Sequence, residues 1–294
     1  MMRRLLPALL LLAALAGCGE RAAEDGKIHV VAAFYPLQFI SERVGGDAVS
    51  VTNLTKAGAE PHDVELNPRQ VAEISDAGLV VYLNGFQPAV DDAVKQDASD
   101  DRTYDVSTAV TLLKSTDSEE GTSTDPHVWL DPARLASIAD ELAVRLGQVD
   151  PEHAATYTAN AATLHTELNA LDAEYAGTLK TCVRHELVTS HTAFHYLADR
   201  YGLTQIGITG IDPEAEPSPR RLAEVAAEAK RTGTTTIFFE TLVSPKVAET
   251  IAREVGAVTA VLDPLEGLTD TSADYFSVMR TNLSTLSTAL ECSS

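Results

Sequence analysis

Short apolar runs rich in β-branched residues alternate along the chain with amphipathic segments. The runs are IHVVAAF (28–34), VSVTNLT (49–55), GLVVYLN (78–84), ELVTS (186–190), TQIGIT (204–209), TTTIFF (234–239) and GAVTAVL (256–262). Helix-like segments follow most of them, such as SPKVAETIAREVG, in which Ser244 is the expected N-cap, Pro245 the first helical residue and Gly256 the stop. Strands that alternate with helices predict an α/β fold with parallel sheets. The strands fall into two groups, which indicates two (β/α) lobes.

The segment from Pro151 to Thr181 has a different pattern. It contains one glycine, Gly177, and no further proline. Its apolar residues recur in steps of three and four, which marks one buried helical face, at Tyr157, Ala161, Leu164, Leu168, Leu171, Tyr175 and Leu179. Asp150 is a suitable cap, and a helix of this length reaches roughly 46 Å at 1.5 Å per residue. We therefore expect one long, rigid α-helix that connects the lobes, with a coiled-coil dimer helix as the alternative.

The N-terminus has the pattern of a targeting segment. Arg3 and Arg4 precede an apolar run at 5–16 that is too short to span a bilayer. The run ends in LAGC, which resembles the lipobox of bacterial lipoproteins, so Cys18 is the expected lipidation site. A plain secretory signal that happens to contain a cysteine is the alternative.

These patterns divide the chain into five parts. Residues 1–17 are the expected lipoprotein signal peptide and 18–27 a flexible tether. The N-terminal lobe is expected at 28–148, the connecting helix at 149–181 and the C-terminal lobe at 182–294.

The composition narrows the classes of partner. There are 43 acidic and 22 basic residues, for a formal net charge of −21. Such a charge argues against binding to nucleic acid or electrostatic docking on anionic lipid. It mildly favours cations as ligands, and a charge that only keeps the protein soluble explains it equally well. Once Cys18 is lipidated, Cys182 and Cys292 remain as an even pair, which favours a disulfide in an oxidising compartment. Two buried free thiols are the alternative.

Four metal-ligand residues lie in loops or at strand ends. His62 lies in GAEPHDVELNP and His127 in DPHVWLDP, His191 follows the strand ELVTS, and Asp263 follows GAVTAVL. Ligands of open α/β sheets collect beyond the carboxyl ends of strands. Separations of 65, 64 and 72 residues exclude a local finger-type site, so these residues meet only if two facing lobes give two ligands each. Taken singly, each histidine is better explained as a structural or exposed residue than as a ligand.

This set has the chemistry of a zinc-binding site. Three imidazoles and one carboxylate suit tetrahedral zinc, whereas a manganese site would carry more oxygen. Four protein ligands leave no position for an activated water, which indicates binding rather than catalysis.

Several motifs occur in an order that resembles the metal-binding lipoproteins of ABC importers, the cluster of zinc and manganese solute-binding proteins. The motifs are VVAAFYPL, GAEPHDVELNPRQVAEISDAGLVVYLNG, DPHVWLDP, VTSHTAFHYLADRYGL, EAEPSPRRLAEV, FFETLVSPKVAETIAREVGA and VLDPLEGL. The resemblance covers nearly the whole mature chain. It implies two (β/α) lobes joined by one long helix, with the metal site between the lobes.

The resemblance places the family's metal ligands on His62, His127, His191 and Asp263. Histidine at the third position is typical of zinc members, whereas manganese members carry glutamate there, so His191 implies zinc. The chain departs from many zinc members because the loop before the second ligand, STDSEEGTST, has no histidine.

Three further residues are candidates for supporting or alternate ligands. His195 lies four residues after His191, hence on the same face of a helix, although four ligands already complete tetrahedral zinc. Glu240 ends a strand of the C-terminal lobe and either supports the site or caps the next helix. Glu60 is separated from His62 by Pro61 and is expected at the surface.

The resemblance implies a protein that is not an enzyme. It implies a monomeric, extracytoplasmic zinc-binding protein, anchored by lipid at Cys18 to the outer face of the cell membrane, that delivers Zn²⁺ to an ABC importer permease. Alternatives are a manganese or iron carrier of the same class, an adhesin, and a secreted zinc hydrolase built on His191 and His195. The hydrolase lacks the glutamate that zinc proteases carry after the first histidine, because Thr192 stands there.

Overall fold

The computed structural model describes residues 26–115, 124–270 and 272–293. Two parallel four-stranded sheets form its framework. The strands of the first sheet are β1 (Ile28–Ala32), β2 (Val49–Asn53), β3 (Leu79–Tyr82) and β4 (Thr103–Asp105). Those of the second are β5 (Glu186–Thr189), β6 (Thr204–Gly207), β7 (Thr236–Phe239) and β8 (Val258–Val261).

The two sheets have the same topology. The first has the order β2-β1-β3-β4 and the second the order β6-β5-β7-β8, and every pairing is parallel. In both, the first strand of the lobe is therefore central, and the chain changes winding direction beside it. Side chains that follow the ends of these strands meet at the edge where ligands of such sheets bind.

Nine α-helices lie in the described part of the chain. They are α1 (Tyr35–Gly45), α2 (Pro68–Asp76), α3 (Pro88–Asp97), α4 (Pro132–Val149), α5 (Ala154–Leu179), α6 (His195–Tyr201), α7 (Pro219–Thr232), α8 (Lys246–Val255) and α9 (Tyr275–Ala289). The predicted α/β fold with parallel sheets and a long connecting helix is confirmed. None of these helices is long and apolar enough to cross a membrane.

Helix α5 is the connector, and its predicted stripe is its buried face. Every one of the seven apolar residues of the stripe is buried. The helix packs along α4 and touches α1 on one side and α6 and α9 on the other, so it contacts elements of both lobes. A short 3-10 turn at Pro151–His153 precedes it, and the Asp150 carboxylate accepts hydrogen bonds from the His153 ring and the Tyr157 hydroxyl.

Several local elements of the structure differ from those predicted from the sequence. Helix α8 begins at Lys246, with Pro245 rather than Ser244 at the N-cap, and ends as expected at Gly256, whose φ of 75° is left-handed. Strand β4 and helix α4 were not predicted. Strand β4 has only three residues, so it carries no readable alternation. Helix α4 follows the DPHVWLDP motif and is capped by Asp131, whose carboxylate accepts from the backbone N–H groups of Ala133 and Arg134.

A single hydrophobic core extends through both lobes. It includes β1 and β3 of the first lobe, the buried face of α5, and residues of β5, α6 and α9 in the second lobe. A smaller cluster lies on the outer side of the second sheet, against α7 and α8. A disulfide between Cys182 and Cys292 joins the end of the connector to the segment after α9. Because the lobes share one core, large hinge opening exposes apolar surface.

Loss of packing on the α5 stripe is expected to destabilise both lobes together. Leu168 is completely buried, so Leu168→Ala should lower the free energy of unfolding by about 2–5 kcal/mol. The neighbouring exposed Asn169→Ala should change it by less than about 0.5 kcal/mol. Chemical denaturation followed by circular dichroism measures both variants. Equal effects of the two substitutions would contradict the role of the stripe.

Candidate metal centre

Three histidines converge at the facing ends of the two sheets. His62 lies in the loop between β2 and α2, His127 directly precedes the short 3-10 turn Val128–Leu130, and His191 lies two residues after β5. All three are buried, with exposed fractions of 8%, 0% and 1%. Their ring centroids are 5.3–5.8 Å apart. The structure thus brings together the three histidines that the sequence singled out.

The fourth member of the cluster is Glu266. One oxygen of its completely buried carboxylate lies 3.5 Å from Nε2 of His62, and 3.2 Å from Nε2 of both His127 and His191. One candidate ligand atom from each of the four residues lies within 4.8 Å of the others. These three Nε2 atoms and both carboxylate oxygens are buried without a hydrogen-bond partner among the described residues. A site that binds a cation is expected to leave such buried polar atoms unpaired at one point, with no partner other than the ion.

Asp263, the expected fourth ligand, is outside this cluster. Its carboxylate accepts a hydrogen bond of 2.8 Å from the backbone N–H of Leu265 and one of 3.3 Å from the Thr241 hydroxyl. Leu265 has a φ of 58°, so the chain reverses there and directs the side chain of the following residue into the cleft. Asp263 therefore shapes the turn, and Glu266 reaches the imidazoles.

The sequence contains only a weak indication of Glu266, which is not among the predicted ligands. The motif DPLEGL contains two carboxylates, and both follow strand β8. The rule that ligands follow strand ends favoured the first carboxylate. The left-handed turn at a leucine, which the sequence does not announce, favours the second.

Two of the imidazoles are oriented by carboxylates on their far side. Nδ1 of His127 lies 2.8 Å from an oxygen of Asp125, and Nδ1 of His191 lies 2.7 Å from an oxygen of Glu240. Each carboxylate accepts a hydrogen bond from Nδ1–H. Nε2 of each ring therefore faces the cleft with a lone pair that can bind a metal ion. Glu240 thus supports His191 rather than capping a helix, and it also accepts a hydrogen bond from the Ser190 hydroxyl.

His62 is held differently. Its ring meets the edge of the Phe86 ring at a centroid distance of 4.6 Å. Its backbone N–H donates to the Glu60 carboxylate at 3.0 Å. Glu60 is therefore not the surface residue that was expected, because its side chain is only 10% exposed and one oxygen lies 3.9 Å from Nε2 of His62. Burial raises the pKa of Glu60 to about 7.

His195 lies beside the cluster and not in it. Its side chain is 21% exposed, and its Nδ1 lies 3.4 Å from the second oxygen of Asp125. The candidate lipidation site Cys18 is outside the described residues, as is most of the acidic loop before the second histidine.

The loop of Glu266 is tied to the segment of His127 by the protein's single tryptophan. The indole N–H of Trp129 donates to the carbonyl oxygen of Pro264 at 2.7 Å, and its backbone oxygen accepts from the Tyr275 hydroxyl at 2.7 Å. The centroids of the indole and the His127 ring are also 5.2 Å apart. One side chain thus fixes two of the ligand-bearing segments relative to each other.

The charges within the cluster are mutually dependent. Burial alone would raise the pKa of Glu266, but attraction to His191 and the close approach of the His127, His191 and His62 rings hold it well below its ordinary value. Burial opposes charge on His191, yet Glu240 and Glu266 raise its pKa well above the usual range. The pKa of His62 is lowered, chiefly by burial. Glu240 and Glu266 therefore favour the protonated form of His191.

Burial would likewise depress the pKa of His127, but Asp125 and Glu266 raise it. Asp125 shows the reciprocal effect: burial favours its neutral form, and the contacts from His127 and His195 lower its pKa below the ordinary value.

The chemistry of the cluster is that of a closed metal site. Three imidazole nitrogens and one carboxylate oxygen match the ligand set and number of tetrahedral zinc. A catalytic zinc site would keep one position open for water. The arrangement is suited to holding an ion rather than to activating a nucleophile.

Comparisons with known proteins identify the family of this chain. A family model described as ZnuA, zinc-uptake complex component A, periplasmic, matches residues 30–289. The zinc-binding protein AdcA of Streptococcus pyogenes is 38% identical over 299 residues, covering 91% of this chain and 57% of AdcA. The high-affinity zinc uptake system protein ZnuA of Bacillus subtilis is 33% identical over 288 residues, covering 92% of this chain and 90% of that protein. This chain spans little more than half the length of the AdcA proteins that it matches.

Solved structures show the same architecture. The laminin-binding protein Lmb of Streptococcus agalactiae, described as a bifunctional protein with adhesin and metal transporting activity, has a TM-score of 0.82 at 35% identity, covering 90% of this chain and 99% of Lmb. Zn(II)-bound AdcA of Streptococcus pneumoniae has a TM-score of 0.78 at 35% identity, covering 90% of this chain and 58% of AdcA. By its sequence and its fold, the chain belongs to the ZnuA family of zinc-uptake component A proteins.

Proposed function

We propose that this protein binds Zn²⁺ outside the cytoplasm and delivers it to an ABC-type membrane permease. The observation that carries the proposal is the buried cluster of His62, His127, His191 and Glu266 between the lobes. Membership in the family and the zinc-binding names of the relatives support it. In this role the metal is cargo, and the protein is not an enzyme.

The donor set favours zinc over manganese or iron. Imidazole nitrogen binds zinc well, whereas manganese prefers oxygen ligands and a larger coordination number. The cluster offers three nitrogens and a single carboxylate. The carboxylates Asp125 and Glu240 are engaged on the far sides of the imidazoles, so they do not add oxygen ligands at the centre.

We further propose that the mature chain is a monomer, attached to the outer face of the cell membrane through lipid on Cys18. The LAGC sequence at 15–18 supports this attachment. A relative from Streptococcus pneumoniae, 37% identical over 290 residues, is named zinc-binding lipoprotein AdcA. Such a tether keeps the metal site in the same compartment as the permease.

The carboxylate ligand is tested by paired amide substitutions. Glu266→Gln removes the anionic ligand and should weaken zinc binding at least about tenfold, whereas Asp263→Asn should weaken it less because Asp263 only shapes the turn. Chelator-stripped protein is titrated with Zn²⁺ and Mn²⁺ in competition with a chromophoric chelator. Trp129 fluorescence gives an independent signal, because the indole lies 5.2 Å from the His127 ring.

The same titration separates the candidate functions. A larger loss for Asp263→Asn than for Glu266→Gln would return Asp263 to the ligand set. Tighter binding of Mn²⁺ than of Zn²⁺ would make the protein a manganese carrier. Failure of the unsubstituted protein to bind any divalent ion tightly would overturn the proposed function.

Zinc affinity should decrease with falling pH, and the decrease should begin above the ordinary imidazole pKa of about 6.5. The reason is that His127 and His191 have raised pKa values, so protons compete with zinc at these imidazoles to a higher pH than usual. Glu240→Gln removes a charge that raises the pKa of His191, so it should move the decrease to lower pH. Dissociation constants measured between about pH 8 and about pH 5.5 test this. An affinity that does not change with pH would contradict proton competition.

A further inference from the structure

Asp125 is shared between a metal-binding histidine of one lobe and a helix of the other. One of its oxygens accepts from both Nδ1 and the backbone N–H of His127, at 2.8 and 2.9 Å. The other oxygen lies 3.4 Å from Nδ1 of His195, the first residue of α6. Neither this oxygen nor Nδ1 of His195 forms a hydrogen bond within the described ranges, either with the other or with a third group, and Asp125 is completely buried.

The second residue of α6 holds the backbone of the same aspartate. The hydroxyl of Tyr196 donates to the carbonyl oxygen of Asp125 at 2.7 Å and accepts from the backbone N–H of Leu113 at 2.8 Å. Asp125 and Leu113 are themselves joined by a backbone hydrogen bond of 2.9 Å. Tyr196 is completely buried, with the guanidinium of Arg134 at 4.9 Å from its ring centre. Two consecutive residues of α6 thus contact the side chain and the main chain of Asp125.

We propose that His195 and Tyr196 form a positioning pair that sets the orientation of the His127 imidazole through Asp125. The inference rests on the proposed zinc binding and assigns His195 a role in it other than that of a ligand. The polar contact of His195 Nδ1 with one oxygen of Asp125, and the hydrogen bond of the Tyr196 hydroxyl to the Asp125 carbonyl oxygen, hold Asp125 in place, and its carboxylate directs Nε2 of His127 at the metal. Because α6 belongs to the C-terminal lobe and His127 to the N-terminal lobe, the pair makes the closed arrangement of the lobes a condition for tight binding.

The geometry separates this role from direct ligation. Nδ1 of His195 contacts the Asp125 oxygen that does not contact His127, and His195 is not among the four residues whose candidate ligand atoms converge. A second-layer partner of this kind changes how firmly the ligand is held without changing the number or type of atoms on the metal. The measurable consequence is faster release of zinc from an unchanged coordination sphere.

A double-mutant cycle tests the proposal on the mature chain. Asp125→Asn should weaken zinc binding about 10–100-fold, and His195→Ala should weaken it by a smaller factor, through a faster dissociation rate. In the Asp125→Asn background, His195→Ala should have little further effect, because the two residues act through one contact. His195→Gln, whose amide can still donate to Asp125, should restore most of the affinity. Tyr196→Phe should also accelerate zinc release.

The chain offers a matched control in His165. Its Nδ1 lies 2.7 Å from the Asp140 carboxylate at the exposed surface of α5 and α4. His165→Ala removes a histidine–aspartate pair of the same type, and it should leave zinc affinity unchanged. The ligand-field spectrum of bound Co²⁺ should be the same for His195→Ala as for the unsubstituted protein, because all four ligands remain. His127→Ala should change that spectrum.

Several outcomes would overturn the inference. One is an equal loss of affinity from His195→Ala in both backgrounds, and another is a Co²⁺ spectrum altered as in His127→Ala, which would make His195 a ligand. If Asp125→Asn does not fold, the comparison of His195→Ala with His195→Gln decides. Equal losses of zinc affinity from these two substitutions would contradict the role of the polar contact between His195 and Asp125. If the unsubstituted protein binds zinc tightly and any of these results is found, the positioning pair is refuted and the proposed function is not. Absence of zinc binding by the unsubstituted protein refutes the proposed function and the pair with it.

Discussion

The buried carboxylate of Glu266 is the group on which the rest of the site depends. It is completely buried, and neither oxygen has a hydrogen-bond partner among the described residues. A charge in such a place is costly unless a counter-charge compensates it. Three imidazole nitrogens surround it at 3.2–3.5 Å and provide that compensation by holding protons or by sharing a cation. The remaining structure, from the turn at Leu265 to the carboxylates behind the imidazoles, keeps these groups from relaxing apart.

The fold follows from patterns that the sequence displays openly. Buried parallel strands give continuous apolar runs, and the stripe from Tyr157 to Leu179 has the period of a helix, so both were predictable. The three histidines were predicted from two sources: their positions in loops or after strands, which the topology brings together, and the resemblance to the metal-binding lipoproteins of ABC importers. The sequence predicts Asp263 and does not indicate Glu266, because the direction of a side chain after a strand depends on the local turn. The φ of 58° at Leu265 is set by its surroundings and not by its own preference.

The role of His195 shows a second limit of what can be predicted from the sequence. Its spacing of four residues from His191 indicated a common helical face, but α6 begins only at His195, so His191 is not part of that helix. The nearest polar partner of His195 is Asp125, 70 positions earlier in the chain, and no local pattern predicts such a contact. Ligand identity is thus more accessible from sequence than the contacts that orient the ligands, because orientation depends on tertiary structure.

The disulfide encloses two of the four cluster residues in its loop and leaves the other two outside it. Cys182 and Cys292 are 110 residues apart, and the segment between them contains His191 and Glu266, whereas His62 and His127 lie outside it. A cross-link over a loop of this length restricts the unfolded chain and favours the folded form of that segment. Reduction of the bond would withdraw this support from the half of the site that carries the carboxylate. The stability of the cluster is therefore linked to the redox state of the compartment in which the protein is found.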